Sequence, residues 1–181
     1  MAIEKPKYEV IETHGDIEIR RYEPMIVART RVDGDFEQAG NIAFRRLAGY
    51  IFGDNASEEK ISMTAPVMQA PVPATDGAFW VMFMMPGKYA IGDLPKPTSQ
   101  DVELERVAGA TFAAIRYKGG WSEKKYRENE KRLREIARGL SAWRPVGESM
   151  WARYNPPIVP SWFRTNEILI RVEPRETSAT N

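Results

Sequence analysis

The chain has 181 residues, enough for one domain with a sizeable core and short for two independent ones. Its 26 Lys and Arg against 25 Asp and Glu leave no field to draw in nucleic acid or an anionic membrane, and the absence of cysteine excludes disulfides, thiolate metal ligands and a thiol nucleophile. The opening MAIEKPKYEV lacks an apolar signal core, and no stretch approaches about 20 apolar residues, so a soluble, cytoplasmic protein with no membrane or nucleic-acid partner is expected.

Ile17 and Ile19 alternate with Glu18 and Arg20, and Ile26, Ala28, Thr30 and Val32 alternate with Arg29 and Arg31. This predicts two strands meeting at Glu23-Pro24. Asp35, with Gln38 three residues on, caps a helix whose inner face is Phe36, Gly40, Ala43, Phe44, Leu47 and Ile51 and which stops near Gly53. A stretch broken by Pro71-Val72-Pro73 then leads into a strong strand, Phe79 to Met85.

The pattern returns 85 residues later. Val102 and Leu104 stand where Ile17 and Ile19 stood, while Thr111, Ala113, Ile115 and Tyr117 take the places of Ile26, Ala28, Thr30 and Val32. Arg106 falls on Arg21, Arg116 on Arg31, Gly119 on Gly34 and Trp121 on Phe36. A second helix starts near Ser122 with Tyr126, Leu133, Ile136, Ala137 and Leu140 inward, and Glu167 to Val172 is the closing strand. A unit with one amphipathic helix and one half-buried sheet cannot cover its own apolar face, so the two must pack together. The expected fold class is α+β: a distorted antiparallel β-barrel built from two pseudo-twofold-related repeats and flanked by two α-helices. Residues 1–174 form the single domain, with halves of about 8–97 and 98–174 joined at Leu94-Pro95-Lys96-Pro97, and 175–181 form a disordered tail.

Catalytic motifs are sparse. His14, the one histidine, lies in a Thr-His-Gly-Asp turn, and no G-x-S-x-G elbow supplies a serine for it. No clustering of His, Cys and carboxylates suggests a metal site. Gly119-Gly120 lacks the rest of a phosphate-binding motif, and the mixed Lys, Arg and Glu of the second helix read as a solvated face with internal ion pairs. Met63, Met68, Met82, Met84 and Met85 gather after the first helix, where soft thioethers suit either core filling or a pocket for a large flat ligand.

Tyr50-Ile51-Phe52-Gly53-Asp54-Asn55 followed by Lys60-Ile61-Ser62-Met63-Thr64-Ala65-Pro66-Val67 resembles the central signature of the SOUL heme-binding proteins. Glu18-Ile19-Arg20-Arg21-Tyr22, Tyr154-Asn155-Pro156-Pro157 and Arg164-Thr165-Asn166-Glu167-Ile168 agree, so the resemblance runs from about Tyr8 to Pro174. It implies a distorted β-barrel with two flanking helices, and non-enzymatic binding of heme or another tetrapyrrole in an apolar cleft beside the first helix, with basic residues near the propionates. Carried over by position, the candidate residues are Ile42, Phe44, Arg45, Arg46, Leu47 and Tyr50, with Met63, Arg21 and His14 beside them. Core packing or surface charge is the competing account of each.

Some relatives have histidine just before the tyrosine of the first motif, where this chain has Arg21, and guanidinium does not ligate iron. An axial ligand would have to be His14, Tyr22, Tyr50 or a methionine; otherwise packing alone holds the macrocycle. Thr64 and Pro66 are expected to serve a strand and bend. Two alternatives stand beside this reading. One is an effector-binding module that takes an amphipathic molecule and reports to a protein partner. The other is a small-molecule hydrolase using Glu148, Tyr154 or Glu167 in the central cleft.

Overall fold

A computed structural model describes residues 2–176 of the chain. The two strands predicted first are Ile17–Tyr22 (β2) and Met25–Asp33 (β3), but they do not pair with each other. Pro24, with no N–H to offer a ladder, separates them. On one side β2 runs antiparallel to Tyr8–His14 (β1), and on the other to Ala110–Lys118 (β7). In turn, β3 lies between Ala78–Met84 (β5) and Glu103–Val107 (β6).

The helices begin where their caps predicted. The Asp35 carboxylate accepts from the Gln38 N–H at 2.8 Å to start Phe36–Phe52 (α1), and Ser122 Oγ accepts from Lys125 N–H at 3.3 Å to start Glu123–Arg138 (α2). Gly53, at φ 121°, ends α1 in a backbone region that side chains disfavour. The remaining strands, Val67–Pro71 (β4), Trp143–Arg153 (β8) and Thr165–Pro174 (β9), complete one nine-stranded sheet in the order β1-β2-β7-β9-β8-β4-β5-β3-β6.

That order carries the internal repeat. If β2 is exchanged with β6, β7 with β3, β9 with β5 and β8 with β4, the series from β2 to β6 reads the same from either end. Each repeat lends its first strand to the other: β2 pairs with β7, and β6 with β3. At the centre, where β4 meets β8, Val67 faces Arg153 and Gln69 faces Trp151, an arrangement that the same exchange maps onto itself. Every named strand pair is antiparallel, and the sheet keeps free edges at β1 and β6, so it is an open sheet where a barrel was expected to close.

Both helices contribute to one core on one face of the sheet. Leu47 and Ala43 of α1 and Leu133 and Ala137 of α2 are buried there with Ile17, Ile19, Val81 and Ile168. The Phe36 ring stacks on Trp151 at 4.9 Å and on Tyr126 at 5.0 Å, which joins α1, α2 and β8. On the opposite face Tyr22, Val27, Met68, Ala114 and Leu169 form a second, smaller apolar cluster. The methionines divide accordingly: Met85 joins the helix-side core, while Met68 and Met82 join the cluster on the other face. Arg175, the first residue of the expected tail, donates to the carbonyls of Arg138, which ends α2, and of Leu140 and Trp143 beyond it, whereas 177–181 lie outside the described residues.

Candidate ligand-binding site

The candidates on α1 separate by helix face. Leu47 and Tyr50 point inward and are buried, and the Tyr50 hydroxyl donates to the Pro95 carbonyl at 2.8 Å. Burial pushes that phenol up to about 12, so it stays neutral and unsuited to bind iron as phenolate. Arg46 is held by the protein itself, through the Arg31 carbonyl at 3.0 Å, Thr30 Oγ1 at 3.4 Å and Asp101 at 3.6 Å. Ile42 is half-buried against the core. Phe44 and Arg45 remain available: Phe44 rests on Phe83 with ring centres 5.6 Å apart yet stays 37% exposed, and Arg45 is exposed and enters no ion pair among the described residues. Two turns beyond Phe44 on the same face, Phe52 is also exposed.

Met63 is exposed in the connection from α1 to β4, next to Thr64, whose hydroxyl donates to the Met84 carbonyl at 2.7 Å. Thr64 thus takes the structural part expected of it. His14 and Arg21 are not brought to α1. They lie on β1 and β2, and four strands, β7, β9, β8 and β4, stand between β2 and the β5 strand beneath Phe44. His14 Nε2 meets Glu12 Oε2 at 2.7 Å, and Arg21 is exposed with Glu9 at 3.4 Å.

On the face away from the helices, Glu167 is the centre of a closed ionic network. Arg20 grips it with two hydrogen bonds of 3.0 Å, Arg116 Nε donates to Oε1 at 2.9 Å and the Tyr154 hydroxyl donates to Oε2 at 2.6 Å. Glu167 is fully buried, which by itself raises a carboxyl's pKa, yet the Arg20 hydrogen bonds and charge, helped by Tyr154 and Arg116, hold it below the usual carboxylate range. Burial, reinforced by the adjacent Glu167 charge, pushes the Tyr154 phenol well above its ordinary value. A carboxylate with both oxygens doubly engaged, beside a phenol that holds its proton, has no proton to give and little basicity to take one. Glu148, the third hydrolase candidate, is exposed with Arg134 at 3.8 Å.

Sequence reasoning did not single out two features. One is Arg153 on β8, a largely buried guanidinium between the Trp121 and Trp151 rings, 5.5 and 5.0 Å from their centres. The other is a cavity of about 500 Å³ whose walls include Lys7, Met25, Met84, Met85, Tyr89 and Arg106 and none of the α1 candidates. The signal for Arg153 was present as polar or larger residues, Tyr117 and Trp121, at the repeat positions of Val32 and Phe36.

An open antiparallel sheet of exchanged repeats, with two helices packed on one face, defines a two-repeat α+β protein. The chain belongs to the SOUL heme-binding protein family, whose model matches residues 3–171. Heme-binding protein 2 of Mus musculus is 31% identical over 146 residues, covering 76% of this chain and 71% of the relative. Heme-binding protein 1 of Xenopus tropicalis is 29% identical over 156 residues, covering 83% and 80%. Among solved structures, the EcmrR C-terminal domain superposes with a TM-score of 0.64 at 10% identity, covering 92% of this chain and 98% of that one. A hydrolase from Listeria innocua does so at 0.58 and 12%, covering 87% and 92%. At those identities the structures share the fold alone. No helix among the described residues is long and apolar enough to cross a membrane.

Proposed function

We propose that this protein binds heme or another tetrapyrrole without catalysis, on the outer flank of α1. The observation that carries the reading is the pairing on that flank of exposed aromatic side chains, Phe44 and Phe52, with the unpaired cation of Arg45. An apolar macrocycle bearing two carboxylates fits such a surface: the rings supply its apolar wall and the guanidinium its counter-charge. Membership in a heme-binding family supports the choice of ligand. The bound group would supply light absorption and, with iron, redox chemistry; the chain's own residues hold it and shield one face. Because His14 and Arg21 lie away from α1, packing and carboxylate pairing retain it in place of a histidine ligand. The engaged state of Glu167 and Tyr154 favours a binding protein over a hydrolase.

Hemin titrated into the purified protein is expected to give a saturable Soret shift. Arg45→Ala should weaken binding about threefold, the scale of one exposed charge pair, and Phe44→Ser about tenfold through lost aromatic contact. No saturable change would overturn the proposal.

The cavity favours a second reading, an effector module for an amphipathic anion, because Met25, Met84 and Met85 give it an apolar lining while Lys7 and Arg106 at its walls enter no ion pair among the described residues. In that case Arg106→Glu, and not Arg45→Ala, would abolish binding of a fluorescent fatty-acid probe.

A further inference from the structure

Five buried side-chain polar atoms have no well-aligned hydrogen-bond partner among the described residues: Trp121 Nε1, Arg153 Nε, Asn166 Oδ1, and the Tyr117 hydroxyl and Trp151 Nε1, which lie near enough to each other to interact. All five belong to one neighbourhood. Arg153 on β8 is paired with Asn166 on β9, which is paired with Tyr117 on β7, so the three side chains stand in one row on one face of the sheet. Trp151 shares that face two residues before Arg153, and the Trp121 ring covers the guanidinium from the loop leading into α2. Arg153 has no carboxylate partner among the described residues; its hydrogen bond is from Nη2 to Gln69 Oε1, at 3.3 Å. Burial without a counter-charge pushes it down to about 10, still protonated at neutral pH. The guanidinium presses on α1 at Gly40, where an added Cβ would come within 2.7 Å of Nη1.

The first repeat shows what the fold itself requires at these places. The 85-residue shift relates Tyr117 to Val32, Asn166 to Val81 and Trp121 to Phe36. The strand register relates Arg153 to Gln69, since Gln69 pairs with Val81 as Arg153 pairs with Asn166, and Trp151 to Val67. Four of those five counterparts are apolar, and the fifth is satisfied, with Gln69 Nε2 donating to the Phe36 carbonyl at 2.8 Å. The architecture therefore closes on valine and phenylalanine. The second repeat puts polar groups in the same places, each costing about 1–3 kcal/mol while it lacks a partner. Native proteins leave few such groups, and a concentration of them in one place marks a site whose partners come from outside. Three N–H donors, a hydroxyl and an uncompensated cation stand against one acceptor, Asn166 Oδ1; the balance asks for an anion with several acceptor oxygens, and the indole walls suit one attached to a planar apolar body.

We propose that Arg153 anchors a carboxylate-binding site in which Trp121, Trp151 and Tyr117 are further donors. For its occupant the site rests on the tetrapyrrole reading, and that occupant is a propionate. Gly40, against which the guanidinium lies, is one turn before Phe44 on the same side of α1, so Arg153 adjoins the flank assigned to the macrocycle. The connection from β8 to β9 adds an apolar rim: Ile158, Trp162 and Phe163 are exposed there, and Arg164 stacks on Trp121 at 4.2 Å.

The test compares protoporphyrin IX with its dimethyl ester by quenching of tryptophan fluorescence, in the full chain and in Arg153→Gln and Gly40→Ala. Gly40→Ala displaces the guanidinium by its new methyl group while suiting the helix, so it guards against a simple folding failure of the first variant. In the unaltered protein the diacid should bind about tenfold or more tighter than the ester, the scale of a charge-assisted hydrogen bond, and in both variants the ratio should fall to the roughly threefold that the exposed Arg45 supplies. Equal binding of acid and ester by the unaltered protein overturns the site, as does a ratio unchanged in both variants while their melting transitions remain cooperative. If neither tetrapyrrole saturates, the tetrapyrrole reading fails by itself and benzoate decides the site: saturable quenching that Arg153→Gln abolishes supports it, and absence of quenching overturns it.

Discussion

Two buried charges occupy neighbouring rows of β8 and β9 and face opposite ways. Glu167, paired with Ala152, points into the face away from the helices; Arg153, paired with Asn166 in the next row, points toward them. Both have lost water, but Glu167 receives four hydrogen bonds from Arg20, Arg116 and Tyr154, whereas Arg153 has one neutral acceptor. The first is complete without a ligand and ties β2, β7 and β9 to Tyr154, just beyond β8. The second is complete only when something else arrives. Burial of charge thus marks architecture in one place and binding in the other, and the count of satisfied partners separates them.

The largest expected effect breaks the complete network. Glu167→Gln leaves Arg20 buried with weakened compensation and should cost about 3–5 kcal/mol of stability by urea unfolding; a loss below about 1 kcal/mol would show that the network contributes little. Its pH dependence has a fixed sign. Because the folded carboxyl sits below its ordinary value of 4.5, Glu167 contributes fully above that value, and the contribution disappears as pH falls through the lowered folded value. Acid unfolding should therefore steepen as pH falls below 4.5, and Glu167→Gln should flatten that limb.

The contrasting substitution is smaller and opposite. Arg153→Leu removes a guanidinium with no anion and should raise the melting temperature of the ligand-free protein, a gain of about 0.5–2 kcal/mol; destabilisation on the scale of Glu167→Gln would place Arg153 among the structural groups. Comparable in size to Arg153→Leu, but a loss, is Asp35→Ala, which removes the α1 cap at 2.8 Å and should cost about 1 kcal/mol without altering the fold.

Elements with a local cause were legible in the sequence. The caps at Asp35 and Ser122, the alternation in β3 and β7 and the 85-residue repeat all depend on neighbours in the chain or on a period within it. Pairing was less legible. The two strands that meet at Glu23-Pro24 go to different partners because each repeat gives its first strand to the other, and alternation carries no information about which strand lies alongside. The same limit applied to the site. Phe44 and Arg45 were identifiable as candidates, but Leu47, Tyr50 and Arg46 share their helix, and only the packing shows two turned into the core and one tied to Asp101. Arg20 and Glu167 are far apart in sequence, and the Arg153 cluster gathers residues from β7, the loop leading into α2, β8 and β9. Tyr117 for Val32 and Trp121 for Phe36 were visible as changes between repeats; that they meet Arg153 follows only from the register.

Amide and indole NMR shifts on addition of protoporphyrin IX test the central claim most directly. Binding on the α1 flank predicts the largest shifts at Gly40, Phe44, Arg45 and Arg153 and at the Trp121 indole. Shifts confined to the cavity around Lys7, Met84 and Arg106, or to the Glu167 face, would contradict it.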